Sequence, residues 1–221
     1  MNSLLTAPLA PLLTRLFAAA ETADAPLRRQ FADSSPEERD ALMQQARTDY
    51  LGFYGLAREM YLPVSPETGR LLYLLVRATR ARSVVEFGTS FGLSTLHLAA
   101  GLKDNGGGRV IGSEFEPSKV ARARDNLRAA GLEAFAEVRE GDALQTLARD
   151  IPSSLDLLLL DGAKVLYPKV LSLLEASLRS GALVLADNAD QNPTFLDYVR
   201  APENGYLSVP FSDEVELFMK L

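Results

Sequence analysis

Two short apolar runs that each end in an acidic residue constrain the fold of this chain most strongly. Four consecutive leucines precede Asp161, and the segment ALVLA precedes Asp187 and Asn188. Runs of this length without polar alternation are typical of strands that are buried on both faces of a parallel sheet. Ligands bind at the carboxyl ends of such strands. The sequence therefore predicts that these polar side chains meet at one edge of the sheet.

The two carboxylates and the amide at this edge are oxygen ligands of the kind that Mg²⁺ prefers. Lys164, three residues after Asp161, is a candidate base at the same edge. Each acid taken singly is also explained by the ordinary role of Asp and Asn in turns that follow strands. The metal-site interpretation gains weight because four strand ends carry polar residues whose chemistry is compatible.

Strand-like and helix-like segments alternate along the chain after residue 80. This alternation predicts an α/β fold with a doubly wound sheet. The tail GYLSVPFSDEVELFMKL contains two extended stretches joined by a turn too short for a crossover helix, which predicts an antiparallel hairpin at the sheet edge. We therefore expect a seven-stranded sheet, mostly parallel, with N-terminal helices in front of it. The predicted strands are 83–87, 110–113, 134–138, 155–160, 182–186, 206–210 and 214–219, and the predicted intervening helices are 93–102, 117–130, 144–149 and 167–178.

The chain divides into an N-terminal helical extension, residues 1–62, and a sheet domain, residues 63–221. The extension shows no strand pattern. Ser35 and Glu38 form a capping box with a proline between them, and the helix that starts there is expected to run toward Met60. The apolar residues of the extension need a partner. They are expected either to cover the acceptor site or to form a dimer contact, and a homodimer is the expected assembly.

The composition excludes several classes of chemistry. The chain has no cysteine, which excludes disulfides, thiolate nucleophiles and zinc–thiolate sites. Its one histidine, His97, lies in an apolar helical segment and is expected to be structural. The net charge of -6 argues against broad nucleic-acid binding. No apolar stretch is long enough to span a bilayer, and the N-terminal apolar segment lacks the basic start of a secretory signal, so the expected location is the cytoplasm, away from membranes.

The first three predicted strands end in residues that fit a nucleoside with a cationic tail. The segment VVEFGTSFGLST joins a strand, a glycine loop and a helix start, but the spacing of Gly88 and Gly92 differs from a dinucleotide fingerprint. Glu86, beside this loop, would repel a pyrophosphate and attract an ammonium group. Glu114 can accept both hydroxyls of a ribose. The third strand ends at residues 141–143, where a base would lie, and S-adenosylmethionine has this shape and charge.

The motifs from residue 64 to the C-terminus resemble those of the class I S-adenosylmethionine-dependent methyltransferases. Within them they are similar to the metal-dependent catechol and caffeoyl-coenzyme A O-methyltransferase group. The resemblance rests on PETGRLLYLL, VVEFGTSFGLST, SEFEP, GDAL, LLLLDGAKVLY and LADN, which occur in the family's order. It implies a Rossmann-like domain, S-adenosylmethionine as methyl donor and a divalent cation, Mg²⁺ first, as a second cofactor.

The resemblance also implies the site residues. Lys164 would be the catalytic base, with a pKa lowered by the metal and by partial burial. The implied metal ligands are Asp161, Asp187 and Asn188. The implied cofactor-binding residues are Val64, Glu86, Gly88, Ser94, Glu114, Asp142, Ala143 and Asp161. The implied reaction is transfer of a methyl group to a metal-chelated hydroxyl of a small catechol-like or hydroxylated aromatic substrate.

One departure from the family pattern concerns the acceptor side. Catechol-type relatives often carry a tryptophan, another bulky group or a second aspartate between the aspartate and the lysine. This chain has Gly162 and Ala163 there. We therefore expect a wider or differently shaped acceptor pocket.

Two other functions stay open. A tRNA hydroxyuridine O-methyltransferase would need a basic surface, and a non-catalytic cofactor-binding protein would have no use for the metal-and-base residues. A nicotinamide dehydrogenase is disfavoured by the glycine spacing and by Glu86. The residues that would form a basic surface are Arg77, Arg80, Arg82, Lys119, Arg122 and Arg124.

Overall fold

Seven strands form one mixed sheet in the computed structural model, which describes residues 2–221 apart from the side chains of Met43 and Arg47. The strands are β1 Ser83–Phe87, β2 Arg109–Glu114, β3 Ala136–Glu140, β4 Leu155–Leu160, β5 Leu178–Ala186, β6 Tyr206–Pro210 and β7 Glu216–Lys220. Across the sheet they are ordered β3-β2-β1-β4-β5-β7-β6. The first five pair in parallel, and β7 pairs antiparallel with both β5 and β6. The predicted doubly wound sheet with a C-terminal antiparallel hairpin is confirmed.

Helices precede the sheet and occupy the connections between its parallel strands, as crossovers require. The N-terminal helices are α1 Leu9–Asp33, α2 Pro36–Thr48, α3 Tyr50–Leu56 and α4 Pro66–Thr79. The later helices are α5 Leu93–Asp104, α6 Pro117–Ala129, α7 Ala143–Thr146, α8 Tyr167–Leu174 and α9 Pro193–Arg200. None of the helices in the described range is long and apolar enough to cross a membrane.

The predicted helix start at Ser35 is present, but the helix that follows is shorter than expected. Ser35 Oγ accepts a hydrogen bond from the Glu38 N–H at 3.2 Å, and the Ser35 N–H donates to Glu38 Oε2 at 2.7 Å. Helix α2 ends before Asp49, which leaves helical geometry at φ -135° and ψ 66°. The Asp49 carboxylate then accepts from the Gly52 N–H and begins α3. The prediction of one helix that continues toward Met60 is wrong.

The bounds of several other predicted elements also differ. Helix α8 ends at Leu174 rather than 178, where the next strand begins, and strand β7 begins at Glu216 rather than 214. Strand β3 begins at residue 136 rather than 134, because a 3-10 turn over Glu133–Phe135 precedes it. Helix α7 is confined to Ala143–Thr146 instead of 144–149. Strand β5 begins four residues earlier than predicted, at Leu178, and passes through Gly181 at φ 76°. That glycine interrupts the apolar pattern, so the pattern alone identifies only the part of β5 that follows it.

The leucine run of β4 lies at the centre of the hydrophobic core. Leu157 and Leu159 belong to the cluster that includes residues of α1, α4, α5 and α6, whereas Leu158 and Leu160 belong to the cluster with α8 and α9. All four side chains are fully buried. Burial of one leucine stabilises a fold by roughly 1.5–3 kcal/mol relative to exposure. The run is therefore apolar throughout because consecutive leucines cover opposite faces of the sheet.

The single histidine lies in the contact between α4 and α5. His97 is buried, and its Nδ1 lies 2.8 Å from the Leu93 carbonyl oxygen. A Cβ added at Gly69 would lie 2.7 Å from the imidazole ring, so this glycine permits the close approach of the two helices. Burial lowers the pKa of His97 to about 4. The imidazole is therefore neutral in the folded protein at neutral pH, which fits a structural role.

Protonation of His97 is expected to weaken the fold in acid. The unfolded chain takes up this proton near pH 6.5, and the folded chain does so only near pH 4. The contribution of His97 to the free energy of unfolding is thus fully present above pH 6.5. It decreases as the pH falls, by about 2 kcal/mol at pH 5. Urea unfolding at pH 7 and pH 5 checks this: His97→Leu should lose about 2 kcal/mol less than the unmodified protein. An equal loss in both proteins would contradict it.

Candidate functional site

The carboxyl ends of β1, β4 and β5 lie side by side at one edge of the sheet. The Asp161 N–H donates to the Phe87 carbonyl oxygen at 2.8 Å, and the Asp187 N–H donates to the Leu160 carbonyl oxygen at 2.9 Å. Each strand is thus paired with its neighbour up to the residue at which its side chain becomes polar. The predicted meeting of Asp161 and Asp187 at one edge is observed.

Asp161, Lys164 and Asp187 form a cluster with little exposure to solvent. Lys164 Nζ donates to Asp161 Oδ1 at 3.3 Å, and these two side chains are 12% and 8% exposed. Burial raises the pKa of Asp161, and Asp187 adds to this rise while Lys164 opposes it. Burial also raises the pKa of Asp187, and the charge of Lys164 opposes that rise. Lys164 thus pairs directly with Asp161, and its charge also acts on Asp187.

The protonation of Lys164 differs from the expectation. Burial lowers the pKa of Lys164, but Tyr167 and the carboxylate of Asp161 more than offset this, so that the pKa lies above its ordinary value. In this arrangement the side chain is an ammonium group. The lowered pKa expected for a base requires that the negative charge around Lys164 be reduced.

Neighbouring residues hold the lysine and the second aspartate in place. The Tyr167 hydroxyl donates to the Asp187 carbonyl oxygen at 2.7 Å, and the Tyr167 ring centroid lies 5.4 Å from Lys164 Nζ. Asn192 Nδ2 donates to the Lys164 carbonyl oxygen at 2.9 Å. Asn192 could not be identified from the sequence, because its place near Lys164 depends on the turn between β5 and α9.

Asn188 lies next to this cluster but is engaged elsewhere. Its backbone is left-handed at φ 47°, and its Nδ2 lies 3.4 Å from Glu214 Oε2 in the turn before β7. The amide oxygen is then the atom available to a cation. No group of three or more His, Cys, Asp or Glu side chains converges as a metal site in the part of the chain that the structure describes. The predicted metal site has only two such side chains, Asp161 and Asp187, because its third ligand is the amide oxygen of Asn188.

Glu86 is buried beneath the glycine loop. Its carboxylate accepts hydrogen bonds from three hydroxyl groups: Ser94 at 2.7 Å, Thr95 at 2.6 Å and Thr89 at 2.8 Å. Burial raises the pKa of Glu86, and these hydroxyls oppose the rise. The structure thus joins Glu86 to the predicted Ser94, and it adds two threonines that sequence reasoning did not single out although they lie in the same motif.

Gly88 lies directly against the end of β4. Its φ is 96°, and a Cβ added there would lie 2.5 Å from the Asp161 carbonyl oxygen. The neighbouring Gly162 is equally constrained, because a side chain there would collide with the Phe87 ring. This contact excludes a bulky side chain at position 162 unless the Phe87 ring moves.

The remaining predicted cofactor residues line the same edge. Glu114 is buried and accepts from the N–H groups of Ser90 at 2.8 Å and Glu116 at 2.9 Å. Val64 is buried immediately before the start of α4. Asp142 and Ala143 lie beyond β3, where the Asp142 carboxylate caps α7 by accepting from the Leu144 N–H at 2.9 Å.

A cavity of about 380 Å³ opens beside Lys164. The N-terminal helices contribute to its wall as well as the loops after β4 and β5. Burial raises the pKa of Tyr54, whereas nearby Lys164 lowers it, so the tyrosine from α3 faces the lysine. The lining residues are Ala46, Tyr54, Lys164, Val165, Gln191, Asn192, Pro193 and Thr194. Sequence analysis assigned Tyr54 to no site, and only its helical spacing from Tyr50 indicates a packed face.

The residues that a basic surface would use are only partly available for one. Lys119 is buried, and Arg77 pairs with Asp104 at 3.5 Å. Arg124 Nη2 donates to the Val138 carbonyl oxygen at 2.7 Å, although the residue is exposed. The exposed members of the set are Arg80, Arg82, Arg122 and Arg124.

Comparison with known proteins supports a methyltransferase. A family model described as a methyltransferase domain matches residues 85–189, which include the ends of all five parallel strands. A catechol O-methyltransferase from Niastella koreensis is 32% identical over 163 residues, which are 72% of this chain and 71% of that protein. The chain belongs to the class I S-adenosylmethionine-dependent O-methyltransferases.

Other proteins that are similar to this chain are also methyltransferases. A catechol O-methyltransferase from Mycobacterium tuberculosis is 36% identical over 127 residues, 58% of this chain and 57% of that protein. The solved O-methyltransferase from Bacillus cereus in complex with SAH has a TM-score of 0.63 at 25% identity and covers 91% of this chain and 100% of its own. A methyltransferase from Geobacter sulfurreducens has a TM-score of 0.61 at 26% identity, with coverage of 90% and 98%. The Rossmann-like fold predicted from the sequence is confirmed.

Substitution of Gly88 is expected to destabilise this methyltransferase more than substitution of a glycine in open space. Gly131 also has a positive φ, 62°, but nothing lies within 4 Å of an added Cβ. Gly131→Ala should therefore cost only the backbone strain of about 1–2 kcal/mol. Gly88→Ala adds a collision with the Asp161 backbone and should cost about 3–5 kcal/mol. Urea unfolding of both variants measures this, and equal costs would refute the close contact at Gly88.

Proposed function

We propose that this methyltransferase transfers the methyl group of S-adenosylmethionine to a hydroxyl group of a small catechol-like or other hydroxylated aromatic molecule. The convergence of Asp161, Lys164 and Asp187 beside the glycine loop and at the wall of a cavity is the observation that carries the proposal. A sulfonium is already an activated methyl donor. The protein therefore has to present a nucleophilic oxygen in line and at close range.

The cofactor is proposed to lie across the ends of β1, β2 and β3. Glu86 would attract the ammonium group of its methionine part, near Gly88 and Ser94, and Glu114 would accept from its ribose hydroxyls. The SAH complex of the Bacillus cereus relative supports a cofactor of this kind. The proposed contacts at the two ends of the cofactor are Val64 and Asp161 for the methionine part and Asp142 and Ala143 for the adenine.

A divalent cation is proposed to be held by Asp161, Asp187 and Asn188. The residues present fit such an ion, because two buried carboxylates carry more negative charge than Lys164 balances, and the amide oxygen of Asn188 adds a third hard ligand. Once bound, Mg²⁺ would supply the positive charge that favours the ionised form of an acceptor hydroxyl.

Lys164 is proposed to accept the proton of that hydroxyl at Nζ. An unperturbed phenol resembles tyrosine, whose pKa is about 10, so it keeps its proton at neutral pH. The ion pair with Asp161 holds Lys164 in its charged form. The base role therefore requires that the Asp161 charge be engaged by another partner. Until the Asp161 charge is engaged in this way, Tyr167 and Asn192 hold Lys164 beside the cavity.

Residues 1–62 are proposed to form a lid over the acceptor site, attached to a catalytic domain of residues 63–221. Tyr54 supports this role, because it brings an aromatic ring from α3 to the cavity that contains Lys164. The ring replaces the aromatic wall that the loop at Gly162 lacks. The homodimer expected from the sequence remains a prediction. The tRNA alternative is weakened by the burial of Lys119.

Methyl transfer to catechols should depend on a divalent cation and on Lys164. Catechols, phenylpropanoids and tRNA are incubated with labelled cofactor, with and without EDTA, and products are identified by mass spectrometry. We expect methylated catechol, whose formation is lost with EDTA and restored by Mg²⁺.

Lys164→Met should lower kcat by about 10²–10⁴ with unchanged SAH binding. The exposed control Lys169→Met should be fully active. Activity insensitive to EDTA, or on tRNA alone, would refute the proposal.

Truncation of Tyr54 should weaken binding of the acceptor and leave the cofactor unaffected. Loss of a ring that lines an apolar pocket costs about 1.4 kcal/mol or more, so the acceptor KM of Tyr54→Ala should rise about tenfold. Leu56, which is 81% exposed in the same helix, provides the control variant Leu56→Ala. Steady-state kinetics measures the acceptor KM, and titration with SAH measures binding of the cofactor. An unchanged acceptor KM, or an equal rise in both variants, would contradict the lid.

A further inference from the structure

A buried lysine near the proposed ribose position has few partners. Lys119, in the first turn of α6, is only 5% exposed. Its ammonium group has three N–H donors. Nζ donates to Ser90 Oγ at 3.3 Å and lies 5.5 Å from the centroid of the Phe91 ring. Among the described residues, the ion pairs of 4.0 Å or less do not include this lysine.

Two of the carboxylates that act on Lys119, Glu114 and Asp161, belong to the proposed cofactor site. Burial lowers the pKa of this lysine, and four carboxylates at longer range oppose the change, with Glu114 the strongest and Asp24, Glu116 and Asp161 weaker. A buried ammonium group is costly unless hydrogen-bond partners complete its environment. Its position beside acids of the proposed cofactor site indicates that a ligand supplies the missing partner.

Ser90 connects the lysine to Glu114. The Ser90 N–H donates to Glu114 Oε2 at 2.8 Å, and the Ser90 hydroxyl donates to the Tyr61 carbonyl oxygen at 2.7 Å. The hydroxyl hydrogen is therefore used, and Ser90 Oγ acts as acceptor for Lys119. The Lys119 ammonium group and the Glu114 carboxylate thus both bind the loop residue Ser90. Each Glu114 oxygen accepts one backbone hydrogen bond and retains a further lone pair.

We propose that Lys119 and Glu114 together bind the vicinal hydroxyl groups of the cofactor's ribose. The two ribose hydroxyls donate to Glu114, and the oxygen of one of them accepts a hydrogen bond from Lys119. A vicinal diol is both donor and acceptor, so it satisfies the carboxylate and the ammonium group at once. The inference rests on the proposed function, because it requires an adenosyl cofactor at this edge.

The contact between Lys119 and the ribose is tested by a double-mutant cycle, in which one change is made in the protein and the other in the ligand. Dissociation constants of SAH, 2′-deoxy-SAH and 3′-deoxy-SAH are measured by calorimetry with the unmodified protein and with Lys119→Met. The variant should bind SAH about tenfold more weakly. For one deoxy analogue the two proteins should differ by less than about threefold, because the oxygen that Lys119 contacts is absent. A tenfold loss for both analogues would mean that Lys119 only supports the loop, and would overturn the proposal.

Controls separate this inference from the proposed function. Failure of the unmodified protein to bind SAH would refute the proposed function itself. Lys169→Met should bind all three ligands as the unmodified protein does. Should Lys119→Met not fold by circular dichroism, Lys119→Leu gives the same cycle with another side chain that cannot donate a hydrogen bond. A change in SAH affinity below twofold in the folded variant would also overturn the ribose contact.

Discussion

The parallel pairing of β1, β4 and β5 up to their last residues determines the rest of this site. The Asp161 N–H is bound to Phe87 and the Asp187 N–H to Leu160, so both aspartates emerge at the same level of the sheet. The leucines before Asp161 are fully buried on alternating faces, and a slip by one residue would carry either Asp156 or Asp161 into a buried leucine position. Gly88 then lies against the backbone of Asp161 and brings the glycine loop to the same point.

The site concentrates more negative than positive charge in a buried place. Among the residues that the structure describes, Lys164 forms an ion pair with Asp161 only, and burial raises the pKa of both Asp161 and Asp187. Glu86, in contrast, is held by three hydroxyls within its own motif. The first arrangement is costly without a further cation, whereas the second is complete. This difference supports the proposal that the aspartates bind an external ion and that Glu86 acts on the cofactor from behind the loop.

The sequence was sufficient for the sheet, its hairpin and the meeting of the strand-end residues, because apolar runs and the residues that end them are local signals. It was insufficient where tertiary contacts decide. Asp49 breaks the helix expected to reach Met60, and the pattern shows no sign of this break. Tyr54 reaches the cavity only because α3 folds back over the sheet edge. Lys119 appeared to belong to a basic surface, although the packing of α6 against the glycine loop buries it.

The proposed cation site at the ends of β4 and β5, to which an acceptor hydroxyl is brought, can be tested by electron paramagnetic resonance of Mn²⁺, since bound and free Mn²⁺ give distinct spectra. We expect one bound Mn²⁺ per chain and a changed spectrum when a catechol is added. This binding should be lost in Asp187→Asn but not in Asp190→Asn, whose side chain is exposed. Equal binding by both variants, or no binding by the unmodified protein, would contradict the proposed site.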